Sequence, residues 1–277
     1  MAGVNGQMQQ REAEPLGLSV HGLTYSFEGE RALFDGVSFD IHKGEFVSIV
    51  AASGMGKTTL FRLLAGLLAP NAGTIAIGGG NASGGGRGNV VGYMPQRDCL
   101  MPWRNVLDNA ALGLEMQGVS KREARQRVME LLAKFGLEGT ERKFPHELSG
   151  GMRQRVSFLR SLLGGGELLL LDEPFSALDA MTRVGMQQWL LQVWEQHKKT
   201  ILFITHDIDE ALLLSDRVLV ASAKEKPITA FESLPVDLPR PRNEETALGS
   251  RFVDLKRELL GRFGRIAAAG AEGGVMN

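Results

Sequence analysis

Three short runs in this chain are apolar almost without interruption: Phe46-Val47-Ser48-Ile49-Val50, Leu168 to Leu171, and Ile201 to Ile204. A strand with one wet face alternates apolar and polar residues, so runs of this kind predict strands covered on both faces, as in a parallel sheet. Val90-Val91-Gly92-Tyr93-Met94-Pro95 and Ile75-Ala76-Ile77 read as two more short strands. Elsewhere the period changes to three and four. Lys57-Thr58-Thr59-Leu60 opens a helix that Phe61, Leu64 and Leu67 continue, with Ala69-Pro70-Asn71-Ala72-Gly73 expected to stop it. Ser120-Lys121-Arg122-Glu123 has the form of a capping box, and Ala124, Val128, Leu131, Leu132 and Phe135 follow at helical spacing until Gly136. Helical pattern fills most of 104–163, a mainly helical insertion in an α/β core. Another helix is expected from near Met181. After Pro239-Arg240-Pro241-Arg242 the pattern predicts one amphipathic helix, about Glu244 to Leu260, and a Gly/Ala-rich end that frays.

Composition narrows the setting. The 277 residues are 43% hydrophobic, enough for one large α/β domain or two small ones. With 31 basic against 32 acidic side chains, the net charge of −1 gives no electrostatic reason to expect nucleic acid as a partner. The single cysteine, Cys99, excludes an internal disulfide and fits a reducing compartment; it reads as a small, at least half-buried hydrophobe rather than a catalytic thiol. No stretch approaches the roughly 18 to 20 apolar residues of a membrane span. The first fifteen residues are polar, with no apolar signal region, and are expected to be disordered. The run from Gly78 to Gly88 holds seven glycines in eleven positions. With no Lys-Ser/Thr after it, it reads as a loose surface hairpin rather than a phosphate cradle.

The chemistry gathers at the ends of the predicted strands. Ala51-Ala52-Ser53-Gly54-Met55-Gly56-Lys57-Thr58-Thr59 falls where a strand gives way to a helix. In that context it is a P-loop, whose backbone N–H groups and helix N-terminus point at phosphate oxygens. Gly54 and Gly56 permit close approach, Lys57 reaches the β and γ phosphates, and the Thr58 hydroxyl is placed to ligate Mg²⁺. The motif asks for glycine where this chain has Ala51; a positive φ there would cost on the order of 1 kcal/mol, a negative one little, and the intact remainder favours the second. Asp172-Glu173 ends the Leu168–Leu171 run and would deliver two carboxylates to the sheet's carboxyl edge, or else cap a following helix. Leu148-Ser149-Gly150-Gly151 reads as a helix start with Ser149 as N-cap, a second anion-binding terminus or a plain cap. Ser176-Ala177-Leu178-Asp179 would be a turn before a helix, and His206 closes a buried strand.

A P-loop, then LSGG, then an aliphatic run ending in Asp-Glu, then a histidine: that order resembles the ATP-binding cassette (ABC) family, over about residues 17–242 and six motifs. The resemblance implies an α/β fold, a P-loop NTPase (RecA-like) core with an antiparallel β edge and a mainly helical insertion subdomain. Its expected bounds are a disordered segment at 1–16, an ATPase domain at 17–242 with core about 17–95 and 164–242 and helical subdomain about 96–163, and a helical tail at 243–277. It implies that Asp172 supports Mg²⁺ and that Glu173 polarises the attacking water. Gln96 would sense the metal, His206 contact the γ-phosphate, and Asp179 belong to a loop crossing a dimer interface. Ser149, Gly150 and Gly151 would touch the nucleotide held by a partner copy. Either Tyr25 or Phe27 would stack on adenine, with Phe27 preferred for its spacing to Leu33. Met101-Pro102-Trp103 would lie in the groove receiving a transmembrane partner.

The implied cofactors are ATP and Mg²⁺. The implied partners are a second copy, transmembrane permease subunits and, indirectly, a periplasmic solute-binding protein, with no nucleic acid and a place on the cytoplasmic face of the inner membrane. Leu100 to Trp103, Asp207 to Ala211 and the Pro-Arg-Pro-Arg ending resemble the nitrate/sulfonate/taurine importer group. The rivals are an exporter or lipid-trafficking ATPase, and a transport-free cassette ATPase acting on nucleic acid or ribosomes.

Overall fold

The computed structural model describes residues 15–52, 54–78, 80–81, 91–221 and 227–269, with side-chain surroundings as far as 262. The expected disordered segment falls outside the described residues as far as position 14; so do Ser53, most of the Gly78–Gly88 run and residues 270–277.

Two sheets face each other. The antiparallel one has the order β2-β1-β4-β5, from β1 (Leu16–Tyr25), β2 (Phe34–His42), β4 (Ala72–Ile77) and the two-residue β5 (Gly80–Asn81). Ile77 pairs with Gly80 at the start of the glycine run, and the rest of the loose hairpin expected there lies outside the described residues. The larger sheet has the order β10-β9-β3-β8-β7-β6, made of β3 (Phe46–Val50), β6 (Val91–Met94), β7 (Leu168–Asp172), β8 (Thr200–Ile204), β9 (Arg217–Ala221) and β10 (Phe231–Pro235). It is parallel except for β10, which runs antiparallel to β9 at one edge.

The unbroken apolar runs are the two-faced strands they were expected to be. Val47, Ile49, Leu168, Leu170, Leu202 and Ile204 pack toward the antiparallel sheet and α1 (Lys57–Leu64). The alternate residues Phe46, Leu169, Leu171, Ile201 and Phe203 pack under the helices on the other face. The two-residue pleat sorts one apolar run into two cores, and each Val, Leu, Ile or Phe so buried contributes about 1.5–3 kcal/mol. Ser48, the polar residue in β3, is fully buried and hydrogen-bonds the Ser215 hydroxyl.

The insertion is α2 (Val106–Met116), α3 (Lys121–Leu132), a 3₁₀ turn at Pro145–Glu147 and α4 (Gly150–Gly164), followed after β7 by α5 (Ala180–His197). Ser120 caps α3 by accepting from Glu123 N, but the Glu123 carboxylate pairs with Arg127 one turn on instead of returning to the cap, so only half the capping box forms.

Three expectations are corrected. Helix α1 does not continue to Leu67. Gly66 at φ +75° closes a Schellman turn, Leu67 N to Arg62 O and Gly66 N to Leu63 O, which leaves Leu67 63% exposed. The single C-terminal helix is two, α7 (Glu244–Leu248) and α8 (Ser250–Ala269), because Gly249 is extended at ψ 146° and α7 carries its own Asn243–Thr246 capping box. Cys99 is exposed, not half-buried, on a left-handed residue (φ +45°).

Candidate functional site

Four parallel strands end at one edge of the large sheet; three of them hand a functional segment to one cleft, and β8 hands His206 to a pocket that adjoins it at Glu173. After β3 comes the P-loop. Gly54 (φ +79°) and Gly56 (φ +88°) are left-handed, and a Cβ on Gly56 would approach Phe34 to 3.2 Å, so this turn is built for glycine. Ala51 is not among the left-handed residues described, which are Cys99, Glu173 and Lys198 besides glycines. Its methyl sits buried in the core at no backbone cost. Met55 is buried as well and anchors the loop from below.

Gly56 is the N-cap of α1 and supplies no side-chain cap, so the first-turn N–H groups are left for a ligand. The Lys57 ammonium donates to the carbonyls of Ala51 (2.7 Å) and Ala52 (3.0 Å). Burial pulls its pKa down, while Glu173 and Asp172 oppose that shift. The Thr58 hydroxyl donates to Asp172 Oδ2 at 2.8 Å. Asp172 ends β7 with 2% exposure; burial raises its pKa against the Thr58 hydrogen bond.

Glu173 is left-handed at φ +50°, with its N–H on Ile204 O. Successive strand residues face opposite ways. The left-handed step breaks that alternation, and both carboxylates line the cleft. A non-glycine residue held there stores about 1–3 kcal/mol, which surrounding structure must offset. Two groups reach Glu173 Oε2: Gln96 Nε2, just past β6, at 3.2 Å, and His206 Nδ1, past β8, at 3.5 Å. No pattern in the sequence announced that strain.

The cleft measures about 310 Å³ and includes Phe27, Leu33 and Thr59 at its rim. Of the two aromatic candidates, Phe27 is 37% exposed at this rim, while Tyr25 is buried behind it with ring centroids 5.2 Å apart, edge to face. Ser149, Gly150, Gly151 and Asp179 do not line the cleft, and His206 lines the adjoining pocket that it shares with Glu173. Ser149 caps α4, accepting from Met152 N at 3.2 Å, and Asp179 caps α5, accepting from Thr182 N at 3.0 Å. A Cβ on Gly151 would lie 3.4 Å from Ala177 O, so these two segments adjoin each other.

Sequence reasoning missed the arginines of α4. Arg153 bonds the Asp98 carboxylate at 3.0 Å, and Arg160 donates to the carbonyls of Cys99 and Asp98 at 2.8 and 2.9 Å. The segment after Gln96 is thereby strapped to the helix that Ser149 begins.

A sheet that merely held a nucleotide would not need an amide and an imidazole to meet at one carboxylate. Attack of water on a phosphoanhydride does need groups that orient the nucleophile beside a phosphate cradle, so fold and site together define a P-loop nucleoside-triphosphate hydrolase. Residues 34–176 match the family model for ABC transporters, and the chain belongs to the ABC transporter family as an ATP-binding, ATP-hydrolysing subunit. It is 41% identical over 244 residues to the formylaminopyrimidine import ATP-binding protein ThiZ of Halalkalibacterium halodurans, covering 87% of this chain and 94% of that one. It is 45% identical over 245 residues to the aliphatic sulfonates import ATP-binding protein SsuB 1 of Rhodococcus jostii (88% and 92% covered). It is also 45% identical over 205 residues to the taurine import ATP-binding protein TauB of Yersinia pestis (74% and 79% covered). Among solved structures, the dimeric post-hydrolysis state of the ATP-binding cassette MJ0796 with ADP and Pi aligns with a TM-score of 0.71 at 28% identity, over 79% of this chain and 98% of that one.

Proposed function

We propose that this chain drives an importer for a small organic solute, of the kind its relatives' names describe: a sulfonate, taurine or a formylaminopyrimidine. Two copies close head to tail on two ATP molecules. The observation that carries this reading is the separation inside one chain. Ser149, Gly151 and Asp179 stand outside the cleft that holds Lys57, Thr58, Gln96 and Glu173. A solved relative of this fold is a dimer with ADP and Pi.

In this mechanism the triphosphate draws the Lys57 ammonium off the Ala51 and Ala52 carbonyls, and the uncapped turn of α1 donates to its oxygens. Phe27 stacks on the base. Glu173 orients the attacking water, held in place by Gln96 and His206. Magnesium fits the donor set of the Thr58 hydroxyl, the Asp172 carboxylate and the Gln96 amide oxygen. When bound, it would neutralise phosphate charge. Ser149 of the second copy closes over the γ-phosphate.

Among the described residues no helix is long and apolar enough to cross a membrane. In this reading the permease is a separate chain, met at the exposed Trp103 (73%) on the cytoplasmic face, with a solute-binding protein on the far side and no nucleic acid involved.

Mixing two inactive variants tests the arrangement. Lys57→Ala and Ser149→Arg each abolish turnover, but a mixed dimer regains one site with both halves intact. Recovered ATPase activity on mixing is the expected result. Mixtures that stay as inactive as the separate variants refute the shared site.

A further inference from the structure

Glu173 and His206 also line a small, largely enclosed pocket beside the cleft, whose remaining residues, Arg183, Thr205 and Glu210 among them, the mechanism above does not use. Its floor is Glu210, a carboxylate of α6 (Ile208–Leu214) with only 7% exposure. Glu210 Oε2 accepts from the Thr205 hydroxyl at 2.7 Å, and Oε1 accepts from Gln187 Nε2 of α5 at 3.0 Å. The same Thr205 oxygen accepts from Asp207 N at 3.0 Å. One hydroxyl thus grips the backbone just beyond His206, and Glu210 holds that hydroxyl.

Arg183 extends the network the other way. It donates to Leu178 O at 3.2 Å, in the segment that ends at Asp179, while its Nε stands 3.9 Å from Glu210 Oε1 with no hydrogen-bond partner. That distance is under 1 Å beyond a normal hydrogen bond, so a small shift of α5 would complete the contact. Desolvation raises the Glu210 pKa against the Thr205 bond. Burying such a group is costly without a use for its hydrogen bonds.

We propose that Glu210 is a positioning residue. It ties the loop carrying His206 to α5, so that movement of the Leu178–Asp179 segment on pairing sets His206 against Glu173. This inference rests on the dimer reading above. The run Leu178–Arg183–Glu210–Thr205–His206 links the Leu178–Asp179 segment to the catalytic one, its Arg183–Glu210 step being the 3.9 Å ion pair and its last a peptide bond. A shift of about 1 Å in a catalytic group costs up to about a hundredfold in rate, so a loosened His206 should be visible in turnover.

The test uses the full chain with Mg²⁺ and ATP, comparing Glu210→Ala and Thr205→Val, each alone and combined with His206→Ala. Alone, each is expected to lower kcat about tenfold with KM for ATP within about twofold, since neither residue lines the nucleotide cleft. In the His206→Ala background neither should lower single-turnover hydrolysis further, because the group they position is already gone. Native kcat in Thr205→Val, or an undiminished tenfold loss on top of His206→Ala, would overturn the proposal. If Glu210→Ala does not fold, Thr205→Val decides alone. The dimer reading fails separately, in the mixing experiment, whatever these variants do.

Discussion

The chain uses a glycine-rich helix start twice, and the two differ in who satisfies the first turn. At α1 the N-cap is Gly56, left-handed and with no side chain to offer. At α4 the N-cap is Ser149, which accepts from Met152 N. The first helix has no side-chain cap, so its N–H groups are open to take phosphate in the proposed mechanism. The second fills one of its own donors, yet its hydroxyl hydrogen is still free to point outward, because a serine oxygen accepts and donates at once. A terminus that must hold a triphosphate alone keeps every donor available. One that only completes a site assembled elsewhere can cap itself and stay folded while it waits.

The comparison can be broken in several ways. Glu173→Gln should bind ATP and lose hydrolysis by about a hundredfold or more, the scale of a lost general base. Near-native turnover in phosphate-release kinetics would remove the water-orienting role. Lys57→Ala should weaken ATP binding by about ten- to a hundredfold, since a charge-assisted contact is worth roughly 1.5–3 kcal/mol. Titration with a fluorescent ATP analogue measures it, and unchanged affinity would mean that backbone donors suffice.

Smaller effects sharpen the contrast at α4. Ser149→Asp keeps a capping oxygen but sets a carboxylate against the γ-phosphate. Thermal melts should match the native chain while ATPase activity collapses. Ser149→Ala should instead cost about 1 kcal/mol of stability as a lost cap. Equal activity in the two variants would separate capping from catalysis in the wrong direction. Smallest of all is Ala51→Gly. With Ala51 outside the left-handed region, ATP affinity should change by less than about twofold.

Local chemistry was legible where bonds are local. A strand, a glycine turn and Lys57-Thr58 are contiguous, so their geometry follows from neighbouring residues. The alternating burial of Leu168 to Leu171 follows from the pleat. Gly66 was a readable stop that the apolar Leu67 obscured, because periodicity counts hydrophobicity and ignores the left-handed turn. The Pro239-Arg240-Pro241-Arg242 ending had read only as a mark of kinship, and its physical role came from folding. Arg242 is 5% exposed and, among the described residues, donates to backbone carbonyls, including those of Leu212 and Ser215 at the end of α6. Arg240 pairs with Asp216 at 2.7 Å and lies over the Trp194 ring. A helix end left with unpaired carbonyls is what these arginines prevent.

By itself, then, the sequence determined the strand–loop–helix cradle, the acidic strand end and the serine cap, because each depends on residues within a few positions of one another. Tertiary structure alone decided that Gln96 and His206 meet on one oxygen of Glu173 and that Arg242 closes α6. Those contacts join residues dozens of positions apart, and only the register of six strands along a common edge brings them within reach.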